Sequence, residues 1–207
     1  MWLLIVFTCV IHVWSINQSN RWIFYLSKPT PILLMSFLVF LNHNEQTNYT
    51  LWIGIGLLLS SLGDIYLMHP KDKFIQGLGA FLFAHLAYSI AFFSAVDMQV
   101  NAWIFLTLLS IGTLIYLLLL PSLGNWKLPI AVYSLGILAM AWGTIEHWNA
   151  ALGSGAGYAV LGALIFIVSD VVLAVDRFRS QSAFSRHVIM ITYYTAQILL
   201  TLSAVTS

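Results

Sequence analysis

Residues 51–69 read LWIGIGLLLSSLGDIYLMH, an apolar run interrupted by one acid, Asp64. A hydrocarbon core of about 30 Å takes roughly 20 such residues as a helix, so this stretch reads as a membrane span with a carboxylate inside it. The pattern returns at 156–175, AGYAVLGALIFIVSDVVLAV, where the acid is Asp170. Outward from these two lie further apolar stretches at 2–17, 30–42, 74–96, 101–120, 128–146 and 184–205. The fold expected is all-α: a polytopic membrane helix bundle of about eight transmembrane helices, forming one domain over 1–207. The first two spans are short for the hydrocarbon core. The opening MWLLIVFTCVIHVW lacks a basic leader and a small-residue cleavage site, so it reads as a retained first helix.

Composition agrees with a bilayer as solvent. The chain is 60% hydrophobic and 7% charged, against roughly 25% charged residues in a soluble domain. A net charge of +1 offers no surface for nucleic acid, and a single cysteine, Cys9, excludes an intrachain disulfide or a cysteine metal cage. All eight Lys and Arg residues fall between alternate spans. Arg21 and Lys28 lie between spans one and two, and Lys71 and Lys73 between three and four. Lys127 follows span five; Arg177, Arg179 and Arg186 follow span seven. By the positive-inside rule these loops face the cytoplasm and both termini face outward.

The two acidic spans also suggest a parallel 4+4 internal repeat. Gly56 stands eight residues before Asp64, as Gly162 does before Asp170, and the following loops carry Asp72-Lys73-Phe74 and Asp176-Arg177-Phe178. Lys28-Pro29 opens span two, as Lys127-Leu128-Pro129 opens span six.

Asp64 and Asp170 each precede a basic loop by several residues, which sets both at a similar depth, roughly 8–10 Å from the inner face. An acid in lipid costs at least about 2.5–3.5 kcal/mol, so both are expected to face the bundle interior or a wet cavity. Two carboxylates together there would share one proton or leave it on one partner, the arrangement that general acid–base hydrolysis uses. A plainer reading is that each caps a kink or bonds a neighbouring helix, and a proton relay in a transporter would use the same pair.

Ser60, Ser61 and Ser169 flank the aspartates. His85 with Tyr88, and Tyr194 with Gln197, are each one turn apart and direct polar stripes toward them. Tyr193 reads as an interfacial anchor. Lys28, at a helix start, suits a lipid phosphate or is simply an inside charge. His12, His43, His69, His147 and His187 carry little signal. Gly153-Ser154-Gly155 with Gly157 reads as a flexible outer loop. There is no HExxH pair, GxSxG elbow, P-loop or Rossmann fingerprint, so no metal or cofactor is expected.

From Ser61-Leu-Gly-Asp64-Ile-Tyr-Leu-Met68 through Phe74, Gly77, Gly79-Ala80-Phe81 and Ala84-His85-Leu-Ala-Tyr88, the chain resembles the YhhN-like lysoplasmalogenase family. Gly162 to Asp170, Arg177-Phe178, Tyr193-Tyr194-Thr-Ala-Gln197 and Lys28-Pro29 continue the resemblance in order. It implies a cofactor-free membrane hydrolase of the lysoplasmalogen vinyl ether bond. The substrate would be a lysophospholipid, drawn from among membrane lipids, with fatty aldehyde and glycerophospho-ethanolamine or -choline as products. Asp64 and Asp170 would be the acidic residues, with Lys28, Ser61, His85, Tyr88, Ser169, Tyr194 and Gln197 supporting. Acid hydrolysis of a vinyl ether needs a proton donor, a stabiliser of the oxocarbenium ion and a positioned water, roles a carboxylate pair can fill. Hydrolysis of another lysolipid, proton-coupled transport and non-catalytic lipid binding stay open on these residues. A compact chain with short loops points to a bacterial inner membrane.

Overall fold

A computed structural model of the chain describes residues 1–19, 21–42, 48–96, 100–150 and 154–206. Without water to bond them, backbone N–H and C=O groups in a bilayer are satisfied within helices. Those described here are α1 (Trp2–Ser15), α2 (Arg21–Ser27), α3 (Thr30–Leu41), α4 (Asn48–Leu67), α5 (Phe74–Ser94), α6 (Ala102–Leu119), α7 (Lys127–Ala150), α8 (Ser154–Phe178) and α9 (Ala183–Val205). Two 3-10 turns, Leu120–Ser122 and Gly124–Trp126, join α6 to α7. Among the described residues seven segments are long and apolar enough to cross a membrane, and α1 is a shorter apolar helix. Burial on α1 recurs at Ile5, Cys9, His12 and Ser15, so one face meets the bundle and the rest faces lipid.

The second span is longer than its hydropathy suggests. It runs from Arg21 to Leu41, with a break at Lys28-Pro29 between α2 and α3. Pro29 and Pro31 lack the N–H groups that would continue the helix ladder, and the two cations made the first turns read as a loop. Lys28 is therefore inside the bundle, 7% exposed, rather than in a cytoplasmic connection. The glycine-rich outer loop is also shorter than expected. Gly155 and Gly157 belong to the first turns of α8, and Gly153, like His43, lies outside the described residues.

The tightest pairings are the hairpins α4–α5 and α8–α9. A Cβ on Gly56 would stand 2.3 Å from the Tyr88 ring, and one on Gly162 would stand 3.1 Å from the Ala196 carbonyl. The glycines eight residues before each aspartate thus do equivalent work: each lets the next helix approach.

Contacts between connections fix the sidedness. At one end the Asn17 amide meets the His187 ring at 3.2 Å, Arg177 pairs with Asp72 at 2.5 Å, and Trp126 packs edge-on against Phe74 at 5.2 Å. All the basic connections therefore share this end. At the other, Tyr49 bonds Ser203 at 2.9 Å and Glu146 accepts from the Asn101 N–H at 2.6 Å. Helix α6 is peripheral, with Leu119 its one buried residue.

Candidate active site

Asp64 lies in the last turn of α4, 2% exposed. Lys28 Nζ stands 3.5 Å from its Oδ1, and the Tyr193 hydroxyl donates to Oδ2 at 2.8 Å. The next residue of α9, Tyr194, donates to the Lys28 carbonyl at 2.9 Å. Consecutive tyrosines thus hold both halves of the ion pair, one gripping the carboxylate and the other the backbone that carries the ammonium. A dry ion pair is tolerable only with such extra bonds.

Asp170 lies in the middle of α8. The Tyr133 hydroxyl of α7 donates to its Oδ2 at 2.6 Å. Among the described residues no cation is within ion-pair distance of it, and unlike Asp64 it is partly exposed. The His85 ring is buried beside this pair, 5.2 Å from the Tyr133 ring and 4.8 Å from Phe166. Among the described residues neither His85 nitrogen has a hydrogen-bond partner.

Both aspartates line one cavity of about 350 Å³. Phe81, Phe166 and Tyr193 form an aromatic wall there, with centroids 5.6 Å apart for Phe166–Tyr193 and 5.7 Å for Phe81–Tyr193. Arg21, Lys28, Arg177 and Arg186 bring positive charge to the same walls, with Asp72 and Asp176 among them. A partly exposed acid, an ion-paired carboxylate and cations around one cavity can bind an anionic amphiphile and move protons on it.

The other expected residues divide. Ser169 lines the cavity but donates to the Ile189 carbonyl at 3.1 Å. Ser61 is buried, and among the described residues the hydroxyls that bond the aspartates are those of Tyr193 and Tyr133. The stripes of α5 and α9 meet each other rather than the acids: Tyr88 donates to Gln197 Oε1 at 2.8 Å and lies 3.4 Å from Ser60 Oγ. It is Tyr193, read from sequence as an anchor, that reaches Asp64; Tyr194 holds the Lys28 backbone. Tyr133 went unnoticed because an aromatic residue in a span usually signals packing. Glu146, at the end of the 128–146 span, is buried in α7, bonded by the Asn101 N–H and by Trp142 Nε1 at 2.8 Å. Among the described residues no group of three or more His, Cys, Asp or Glu could hold a metal ion.

Fold and cavity together define a polytopic α-helical membrane protein whose polar machinery lies inside the bundle near its basic end. The model of the YhhN family matches residues 23–204, and the chain belongs to that family. It is 34% identical over 205 residues to human lysoplasmalogenase TMEM86B, covering 98% of this chain and 85% of that protein. Rat lysoplasmalogenase TMEM86B is 37% identical over 195 residues, 94% of this chain and 78% of the relative. Human lysoplasmalogenase TMEM86A is 35% identical over 217 residues, 97% and 86% of the two chains. No solved structure matches.

Proposed function

We propose that this chain, a single transmembrane helical domain, hydrolyses the vinyl ether bond of lysoplasmalogens to a fatty aldehyde and a glycerophospho-ethanolamine or -choline. The observation that carries the reading is that two carboxylates from distant helices line one cavity. Likeness to proteins named lysoplasmalogenase along nearly the whole chain supports the substrate class.

The two acids have different surroundings, and these divide the labour. Asp64 faces the Lys28 ammonium and accepts from Tyr193, so it serves as the standing carboxylate. Asp170 has a hydroxyl partner and, among the described residues, no cation in ion-pair range, so it serves as the proton donor. Asp170 protonates the vinyl carbon remote from oxygen, and the resulting oxocarbenium ion sits against the carboxylate that proton transfer leaves behind. Asp64 takes a proton from a water that adds to the oxygen-bearing carbon, giving a hemiacetal. The hemiacetal hydroxyl loses its proton, the bond to the glycerol oxygen breaks, and that oxygen gains a proton. One water is consumed; returning the proton from Asp64 to Asp170 resets the pair. General acid–base assistance of this kind contributes about 10²–10⁴-fold to rate.

The home proposed is a bacterial inner membrane, basic end toward the cytoplasm. The test is aldehyde release by purified protein from vinyl ether, alkyl ether and acyl lysolipids of one chain length. Release from the vinyl ether alone supports the reading. Near-wild-type turnover by Asp64→Asn or Asp170→Asn removes that residue from the mechanism.

A further inference from the structure

A second cavity of about 200 Å³ lies between α6, α7 and α8. Its walls include Leu108 and Ile111 of α6, Ile137 and Leu138 of α7, and Leu164 and Ile167 of α8. Two of its few polar side chains already have partners: Tyr116 donates to the Lys127 carbonyl at 3.2 Å and Tyr133 donates to Asp170. The cleft exists because α6 leans on α7 and barely touches α8.

This cleft adjoins the charged cavity. Phe74, Asp170 and Leu173 line both, so Asp170 stands at the joint between an apolar chamber and a polar one. In the polar chamber Lys28 is matched by Asp64 and Arg177 by Asp72. Arg21 and Arg186 line it with no ion-pair partner among the described residues, while the two remaining acids of its walls, Asp170 and Asp176, are bonded by the Tyr133 hydroxyl and the Ser182 N–H. Two unmatched guanidinium groups complement a phosphodiester anion.

We propose that the two chambers are one binding site for a single-chain phospholipid, its hydrocarbon tail in the α6–α7–α8 cleft and its phosphate between Arg21 and Arg186. This rests on the hydrolase reading and deepens it. A vinyl ether in such a lipid is the link between tail and glycerol, which is the part of the molecule that must pass Asp170. The apolar chamber then sets chain-length preference, and the arginines set the demand for a phosphate. Leu164 is six residues before Asp170 on α8, about 9 Å away along the helix axis, so bulk at 164 meets the tail and not the reacting bond.

The test is binding of tritiated 1-O-hexadecyl and 1-O-decyl lysophosphocholine, which contain no vinyl ether, to protein in nanodiscs. Aldehyde release from a vinyl ether lysolipid is measured on the same preparations. Leu164→Trp, with Ile111→Trp on the facing wall as a second variant, should weaken hexadecyl against decyl binding about tenfold, as if roughly two methylenes were pushed from the cleft. Leu108→Ala should shift the ratio the other way. Arg21→Gln and Arg186→Gln should each weaken lysophosphocholine about tenfold, leaving 1-O-hexadecylglycerol unchanged. An unaltered chain-length ratio in both tryptophan variants overturns the tail site, with bulk bilayer lipid then the cleft's sole occupant. Equal effects on phosphate-bearing and phosphate-free lipids, or none on either, overturn the arginine site. A binding profile that shifts as stated in a protein releasing no aldehyde leaves this site standing and sinks the hydrolase reading instead.

Discussion

Replacing Lys28 by Met removes the ammonium beside Asp64 while keeping an unbranched apolar stem. Both partners are nearly dry, at 7% and 2% exposure, and their charged atoms are 3.5 Å apart. Removing one partner of a buried pair costs about 3–5 kcal/mol, because the other charge is left without compensation. Tyr193 still donates to Asp64 at 2.8 Å, which argues for the lower end, about 3 kcal/mol. For a chain of this size that is a fall in melting temperature of roughly 6–12 °C. Replacing both groups by apolar residues, Lys28→Met with Asp64→Leu, should recover most of that loss, since buried pairs exchanged for packed hydrophobes are often neutral or better. Melting curves in nanodiscs and aldehyde release, run together, separate the two roles. The double variant is expected to be folded, stable and inactive. Single variants melting within about 1 °C of wild type, or a double variant as unstable as the sum of the singles, would refute the ion pair as drawn.

Tyr133→Phe takes the hydroxyl from Asp170 and should lower turnover at least tenfold, with little change in substrate affinity; a kcat equal to wild type counts against Asp170 as the donor. Gly56→Ala would set a methyl carbon 2.3 Å from the Tyr88 ring, whereas a Cβ on Gly79 meets nothing within 4 Å. The first should cost about 1–3 kcal/mol and the second under about 0.5, read as melting shifts. Arg177→Gln breaks a pair whose partners are 34% and 63% exposed; it should cost about 1 kcal/mol or less, and less still in high salt. Cysteines introduced at Lys71 and Arg179 should react with an impermeant thiol reagent from the same side of the membrane, and one at Trp103 from the other.

The fold could be read from sequence where the bilayer dictates it. Spans 51–69, 74–96 and 184–205 coincide with α4, α5 and α9 to within a few residues, because lipid demands unbroken apolar helix. The reading slipped where a charge is neutralised by something distant. Arg21 and Lys28 made α2 resemble a loop, yet Lys28 is acceptable inside the bundle because Asp64, from another helix, compensates it. Hydropathy assigns each residue a cost in isolation, and a buried pair is the case where that cost belongs to two residues at once.

The site follows the same logic. Asp64 and Asp170 were visible because an intramembrane acid is expensive enough to require a reason. Their partners were not, because helical spacing tells which residues share a face and not which neighbour that face meets. Tyr194 and Gln197 share a face with one turn between them, as do His85 and Tyr88, and Tyr88 and Gln197 do find each other. The acids are instead held by Tyr193, one position off that stripe, and by Tyr133, from a helix with no stripe at all. What selects these two is the crossing of α9 over α4 and of α7 over α8, while the glycines at 56 and 162 set how closely α4 meets α5 and α8 meets α9. The chemistry is therefore written in the acids, and its geometry in the helix crossings that bring Tyr193 and Tyr133 to them.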